Sequence, residues 1–102
     1  MFKDFRTYQL AVTLYRQTAA VRLPAYLRDQ LRRAAASAVL NIAEGAGRSS
    51  RSDQARFFDI AFASTKEVQA ALELADDAGS PAIKTADHLA ASLYRLRQKC
   101  RA

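Results

Sequence analysis

The chain lacks any apolar run approaching the roughly 18 residues that a membrane span needs. Its opening residues, Met1-Phe2-Lys3-Asp4-Phe5-Arg6, lack the apolar core of a secretory signal, which reads as a cytoplasmic protein. A single cysteine, Cys100, excludes a disulfide within the chain. Cys100 and the single histidine, His88, are too few for a structural zinc site, so no metal and no cofactor are expected. Glycine and proline are scarce, three and two in 102 residues. No window alternates with period two for long enough to suggest a sheet, and there is no internal repeat or low-complexity tract. What remains is one domain, 1–102, with 50% hydrophobic residues, too apolar for a disordered chain.

The few breaks fall at informative places. Pro24, the Gly45/Gly47 pair and Gly79-Ser80-Pro81 divide the chain into four segments, each long enough for several helical turns. The first runs from about Asp4 to Val21, the second from about Ala25 to Glu44. The third begins near Ser52, a candidate N-cap with Asp53 in the first turn, and Gly79 suits its C-terminal stop. Ser80-Pro81 reads as an N-cap followed by proline at the first position of the last helix. Apolar residues recur at helical spacing in all four segments, for example Leu27, Leu31, Ala35, Ala38 and Ile42. The expected fold is all-α, an up-down-up-down antiparallel four-helix bundle.

Two of the segments carry more apolar surface than one stripe can hold. Leu10 and Leu14 form a second stripe beside Tyr8, Val12 and Tyr15, and the adjacent Phe57 and Phe58 point about 100° apart on a helix. The chain is also rich in alanine, 22 residues in all, and alanine buries little area. These features predict a homo-oligomer with Leu10, Leu14 and Phe58 at its interface. The competing reading is a wide face packed wholly within one bundle.

The stretch Ser37-Ala38-Val39-Leu40-Asn41-Ile42-Ala43-Glu44-Gly45-Ala46-Gly47-Arg48 reads as a helix ending in a Gly-x-Gly-Arg turn, with an amide and a carboxylate in its last apolar turn. Asn41 and Glu44, three apart, share a face, and both require partners there. Glu44 is expected to meet backbone amides of the third helix or an arginine such as Arg48, and Asn41 a neighbouring helix or the turn. The glycines form neither a dinucleotide fingerprint nor a P-loop: no strand precedes them, and the third glycine and the lysine are missing. His88 stands as a single imidazole, Ser49, Ser50 and Ser52 read as turn and capping residues, and Asp76-Asp77 face different directions. The chain is therefore expected not to be an enzyme; the competing reading is a small hydrolase using His88.

The net charge of +6 with a pI near 10 favours an anionic partner. Residues 57–94 carry six acids against Lys66 and Lys84, whereas residues 1–33 carry seven bases and two acids, and 95–102 four bases. Arg28, Arg32 and Arg33 cluster on the second helix. Arg48 and Arg51 accompany serines after the glycines, with Arg56 close behind. Arg95, Arg97 and Lys99 form a further patch. Guanidinium forks, hydroxyls and free amides at a helix start suit phosphate oxygens, so RNA or DNA backbone is the expected ligand, with little sequence preference. The alternative is a protein-interaction scaffold whose charge serves solubility.

Gln30-Leu31-Arg32-Arg33-Ala34-Ala35-Ala36-Ser37, Asn41-Ile42-Ala43-Glu44-Gly45 and Gly47-Arg48 resemble a bacterial family of small four-helix-bundle proteins. The likeness extends through Phe57-Phe58-Asp59-Ile60-Ala61 and Ser64-Thr65-Lys66-Glu67-Val68. The family includes proteins encoded in intervening sequences of large-subunit ribosomal RNA genes and the accessory variability determinant of diversity-generating retroelements. This resemblance implies a homopentameric ring with a positive surface. For the retroelement members it also implies binding to nucleic acid and to a reverse transcriptase. The chain departs from the commoner pattern at Ala63, where glycine is frequent, and at Ala34-Ala35-Ala36, where bulkier residues occur.

Overall fold

A computed structural model describes residues 5–101. Four helices account for most of them: α1 Arg6–Thr18, α2 Ala25–Ala46, α3 Arg51–Leu74 and α4 Pro81–Arg101. The expected segments are all present, and their ends differ for local reasons. After Thr18 the chain tightens, with the amides of Ala19, Ala20 and Val21 donating to carbonyls three residues back. Pro24, at φ −55° and ψ 150°, then starts α2 without needing a donor of its own. The Asp4 start expected for the first helix lies outside the described residues.

Two expected signals are displaced. Ser50, not Ser52, caps α3: its hydroxyl accepts from the Asp53 amide at 3.2 Å. Gln54 closes the same turn by donating to the Arg48 carbonyl at 3.2 Å. Gly79 does not stop α3, which ends at Leu74 with Ala75 turned extended at ψ 144°. Ser80 does cap α4, accepting from the Ala82 amide at 3.2 Å, and Pro81 is the first helical residue as read.

Cross-helix contacts fix the direction of each helix. Thr7 near the start of α1 meets Ser92 in the later half of α4. Tyr15 late in α1 meets Arg32 early in α2. Ser37 meets Ser64 at 2.8 Å, and Asp59 early in α3 meets Arg97 and Arg101 late in α4. Every neighbouring pair is thus antiparallel. Each helix packs extensively on two others, α1 and α3 both lying between α2 and α4. The bundle measures 41 × 22 × 18 Å. One end carries the α1–α2 and α3–α4 loops, joined by the Arg22 amide donating to Asp77 at 3.3 Å. The other end carries the α2–α3 turn and the C-terminal turns of α4.

The core is built from Leu14, Leu31, Ile42, Val68, Leu89 and Leu93, all fully buried, with buried alanines from every helix between them. Buried Thr65 satisfies its hydroxyl by donating to the Ala61 carbonyl at 2.8 Å. Two of the three residues expected at an oligomer interface belong to this core. Leu14 is 0% exposed and Phe58 3%, because the second stripe of α1 turns toward α2 and α4 and the Phe58 ring packs on Gly45. Leu10 is partly buried against the same core. Among the described residues, the large apolar side chains left exposed are Tyr26, Leu40, Ile60, Leu74 and Tyr94.

Candidate nucleic-acid interface

The α2–α3 turn organises the arginine-rich end. Gly45 is the penultimate residue of α2, not part of the turn, and no described glycine has positive φ. Asn41 donates to the Ser37 carbonyl at 2.9 Å and to the Ser37 hydroxyl at 3.2 Å. Because Ser37 in turn meets Ser64, the amide reaches α3 through a serine relay and not directly. Glu44 accepts from Arg48 at 2.7 Å, the arginine partner expected from the sequence. The Arg48 guanidinium also lies 4.8 Å from the Phe57 ring centre, and Arg56 lies 4.7 Å from the same ring.

Beside this turn, the start of α3 and the end of α4 enclose a cleft of about 570 Å³ lined by Arg51, Ser52, Arg56, Asp59, Cys100 and Arg101. Asp59 occupies two of the neighbouring cations. Its carboxylate accepts from Arg97 at 2.6 Å and from Arg101 through its other oxygen. The Arg97 guanidinium also sits 4.2 Å from the Phe62 ring centre, and its side chain is only 22% exposed. Arg97, named above as a phosphate contact, is therefore engaged in holding α3 to α4. Arg51, Arg95 and Lys99 are exposed and have no ion-pair partner among the described residues. Arg56 and Arg101 join the cleft although the sequence reading left them out of its binding set. The signal for them was the antiparallel return of α4 beside the first turns of α3.

Arg28, Arg32 and Arg33 lie elsewhere. Arg28 and Arg48 are 20 residues apart on one helix and its turn, a separation of ~30 Å at 1.5 Å per residue. The basic residues thus form two groups at opposite ends. Arg32 donates to the Tyr15 hydroxyl at 3.3 Å and lies 5.4 Å from that ring's centre. Near the α3–α4 loop the chemistry reverses, with a cleft of about 400 Å³ lined by Lys66, Gln69, Glu73 and Asp87 among others.

Asp59→Asn is expected to weaken the bundle by about 1–2 kcal/mol, since it removes a charged acceptor shared by two partly exposed arginines. The same change should raise polyanion affinity by freeing them. Urea denaturation and a polyanion titration read the two effects separately, and a variant with unchanged affinity would show that the pair is not in competition with phosphate.

The sequence profile of the family described as 23S rRNA-intervening sequence protein matches residues 3–102. The chain belongs to this family. No curated protein matches it. In this chain the Asn-Ile-Ala-Glu-Gly run places Ile42 in the core, Glu44 on Arg48 and Gly45 against Phe58. His88 is exposed beside Arg6, Leu10, Ser92 and Arg95, residues that offer it neither a carboxylate nor a thiol. Among the described residues no group of three His, Cys, Asp or Glu could hold a metal, and no helix is long and apolar enough to cross a membrane.

Proposed function

We propose that this family member is a non-enzymatic cytoplasmic bundle that binds the backbone of RNA or DNA, and that copies of it assemble. The cleft where Arg51 and Arg56 flank the first turn of α3, joined by Arg101 once a phosphate competes with Asp59, carries the reading. Arginine forks and the Ser52 hydroxyl beside free helix-start amides match phosphodiester oxygens in charge and geometry. Arg95 and Lys99 extend the cationic end along α4, and Arg48 contributes once a phosphate competes with Glu44. Arg28 and Arg32, one turn apart, supply a second contact at the far end. Arg33 points about 100° away from Arg32 and serves a different surface. Assembly, into the homopentamer that the family resemblance implies, would multiply the charge of +6 per chain into a collective field.

Fluorescence anisotropy with a labelled mixed-sequence RNA or DNA oligonucleotide tests the proposal. With about four phosphates contacted per subunit, affinity should fall about a hundredfold between about 50 and 200 mM salt. Arg51→Gln and Arg56→Gln should each flatten the salt dependence by about one charge. Binding that is absent at low salt, or independent of salt, would overturn it.

A groove of about 390 Å³ between α1 and α2, lined by Val12, Tyr15, Arg16, Ala36, Val39 and Leu40, favours a second reading as a protein-interaction scaffold. For the retroelement branch of the resemblance the partner would be a reverse transcriptase. A protein partner that stays bound after nuclease treatment would favour this alternative.

A further inference from the structure

The face between α1 and α4 carries cations and no carboxylate. Helix α1 contains neither Asp nor Glu, and the one acid of α4, Asp87, turns to α3, where Gln69 donates to it at 2.8 Å. Along α4, Lys84, His88, Ser92, Arg95 and Lys99 recur at intervals of three or four and share one stripe. The middle three of these line a pocket of about 290 Å³ together with Ala91 and with Arg6 and Leu10 of α1. Arg6, His88 and Arg95 are exposed, and none has an ion-pair partner among the described residues. This pocket lies on the opposite side of α4 from the Asp59 pairs and shares no residue with the cleft beside α3.

Thr7 and Ser92 set the register here, their hydroxyls meeting at 2.5 Å. Because α1 and α4 run antiparallel, Arg6 lies just beyond Ser92 toward Arg95, and Leu10 lies back toward His88. Two guanidinium side chains from neighbouring helices therefore stand at one end of the pocket. The imidazole stands at the other, ~10 Å back along α4 from Arg95, a gap that two long arginine side chains reaching inward can close. With the buried Thr7 donating to Ser92, the Ser92 proton is left for the pocket. Two guanidinium groups brought together without a carboxylate repel each other, and an anion seated between them removes that cost. The first turn of α1, where the helix dipole is positive, holds no acid that could take the anion's place.

We propose that this pocket binds a phosphomonoester group, held by Arg6, His88, Ser92 and Arg95. A phosphomonoester presents three terminal oxygens and close to two negative charges near neutral pH. A backbone diester presents two such oxygens and one charge. Two guanidinium forks, an imidazole N–H and a hydroxyl converging on one small volume match the monoester in both number and charge. Leu10 and Ala91 supply the apolar wall, and Ala91 is small enough to leave the space open. Lys84 and Lys99, at either end of the stripe, add long-range attraction without lining the pocket. The group arrives either on a small phosphate ester or at the phosphorylated end of a nucleic-acid strand, and the chemistry of capture is the same.

Proton NMR on the full chain reads the site directly, because His88 is the single histidine and its ring protons give an unambiguous signal. In phosphate-free buffer, methyl phosphate should shift those signals saturably in the millimolar range, and dimethyl phosphate at equal ionic strength should bind about tenfold more weakly. Arg6→Gln combined with Arg95→Gln should weaken methyl phosphate binding about tenfold, with helix content unchanged by circular dichroism because both side chains are exposed. Oligonucleotides ending in a phosphate or in a hydroxyl identify the source. A preference for the phosphorylated strand that the double variant abolishes assigns the pocket to a strand end. Equal binding of the two strands, where methyl phosphate still binds, assigns it to a small phosphate ester. Shifts that do not saturate, an equal response to the diester, or binding indifferent to the double variant overturns the site. Arg51 and Arg56 lie outside this pocket, so it and the cleft proposed above fail independently of each other.

Discussion

Gly45→Val is expected to lower the unfolding free energy by about 3 kcal/mol or more, in a domain of a size whose total is about 5–15 kcal/mol. A Cβ at position 45 would lie 2.7 and 2.9 Å from Cε1 and Cδ1 of Phe58, and 3.2 Å from Cβ of Phe57. Neither ring can yield cheaply. Phe58 is 3% exposed in the core, and Phe57 is flanked by the Arg48 and Arg56 guanidinium groups. Alanine at this position would recover about 1 kcal/mol of helix propensity against an overpacking cost of about 1–3 kcal/mol, so Gly45→Ala should be only mildly destabilising. Valine adds two methyl groups in the same crowded direction and gains less propensity. Shortening the obstructing ring should recover part of the loss, so Gly45→Val with Phe58→Leu should be more stable than Gly45→Val alone. Urea denaturation followed by circular dichroism measures all three. A Gly45→Val protein as stable as the parent would show that α2 and α3 are not in close contact at this level.

Gly45 also marks where sequence reading stops. Beside Gly47 and Arg48 it looks like part of a turn, and its true requirement is the distance to a ring 13 residues further on. The four helices were legible because apolar residues recur at helical spacing and only three breaks interrupt them. Their caps were less so: Ser49, Ser50 and Ser52 are all competent, and only the path of the chain into α3 selects Ser50. Ser80-Pro81 was legible because proline at the first helical position leaves no such choice. The basic clusters could be counted from sequence but not sorted. Asp59 lies 38 residues from Arg97, and nothing local shows that it neutralises Arg97 while Arg51 stays free.

Leu14→Ala is expected to cost about 3–5 kcal/mol, and Leu10→Ala about 1 kcal/mol, although the two residues are one turn apart and chemically identical. Leu14 is 0% exposed and is among the few large side chains in a core otherwise filled by alanine. Truncating it leaves a hole that small, backbone-bound neighbours cannot close, because an alanine has no rotamer with which to fill space. The penalty should therefore fall toward the upper part of the range seen for leucine truncations. Leu10, only partly buried at the rim of the same core, already has solvent on one side and leaves no sealed cavity. Unfolding by urea gives the two energies, and sedimentation of each variant where it remains folded gives its state of association. Leu14→Ala should lower stability while the folded protein keeps its assembly, since a side chain enclosed by its own subunit has no surface to offer a neighbour. The reverse result, an assembly lost with the subunit's stability intact, would place Leu14 between copies and not inside its own bundle.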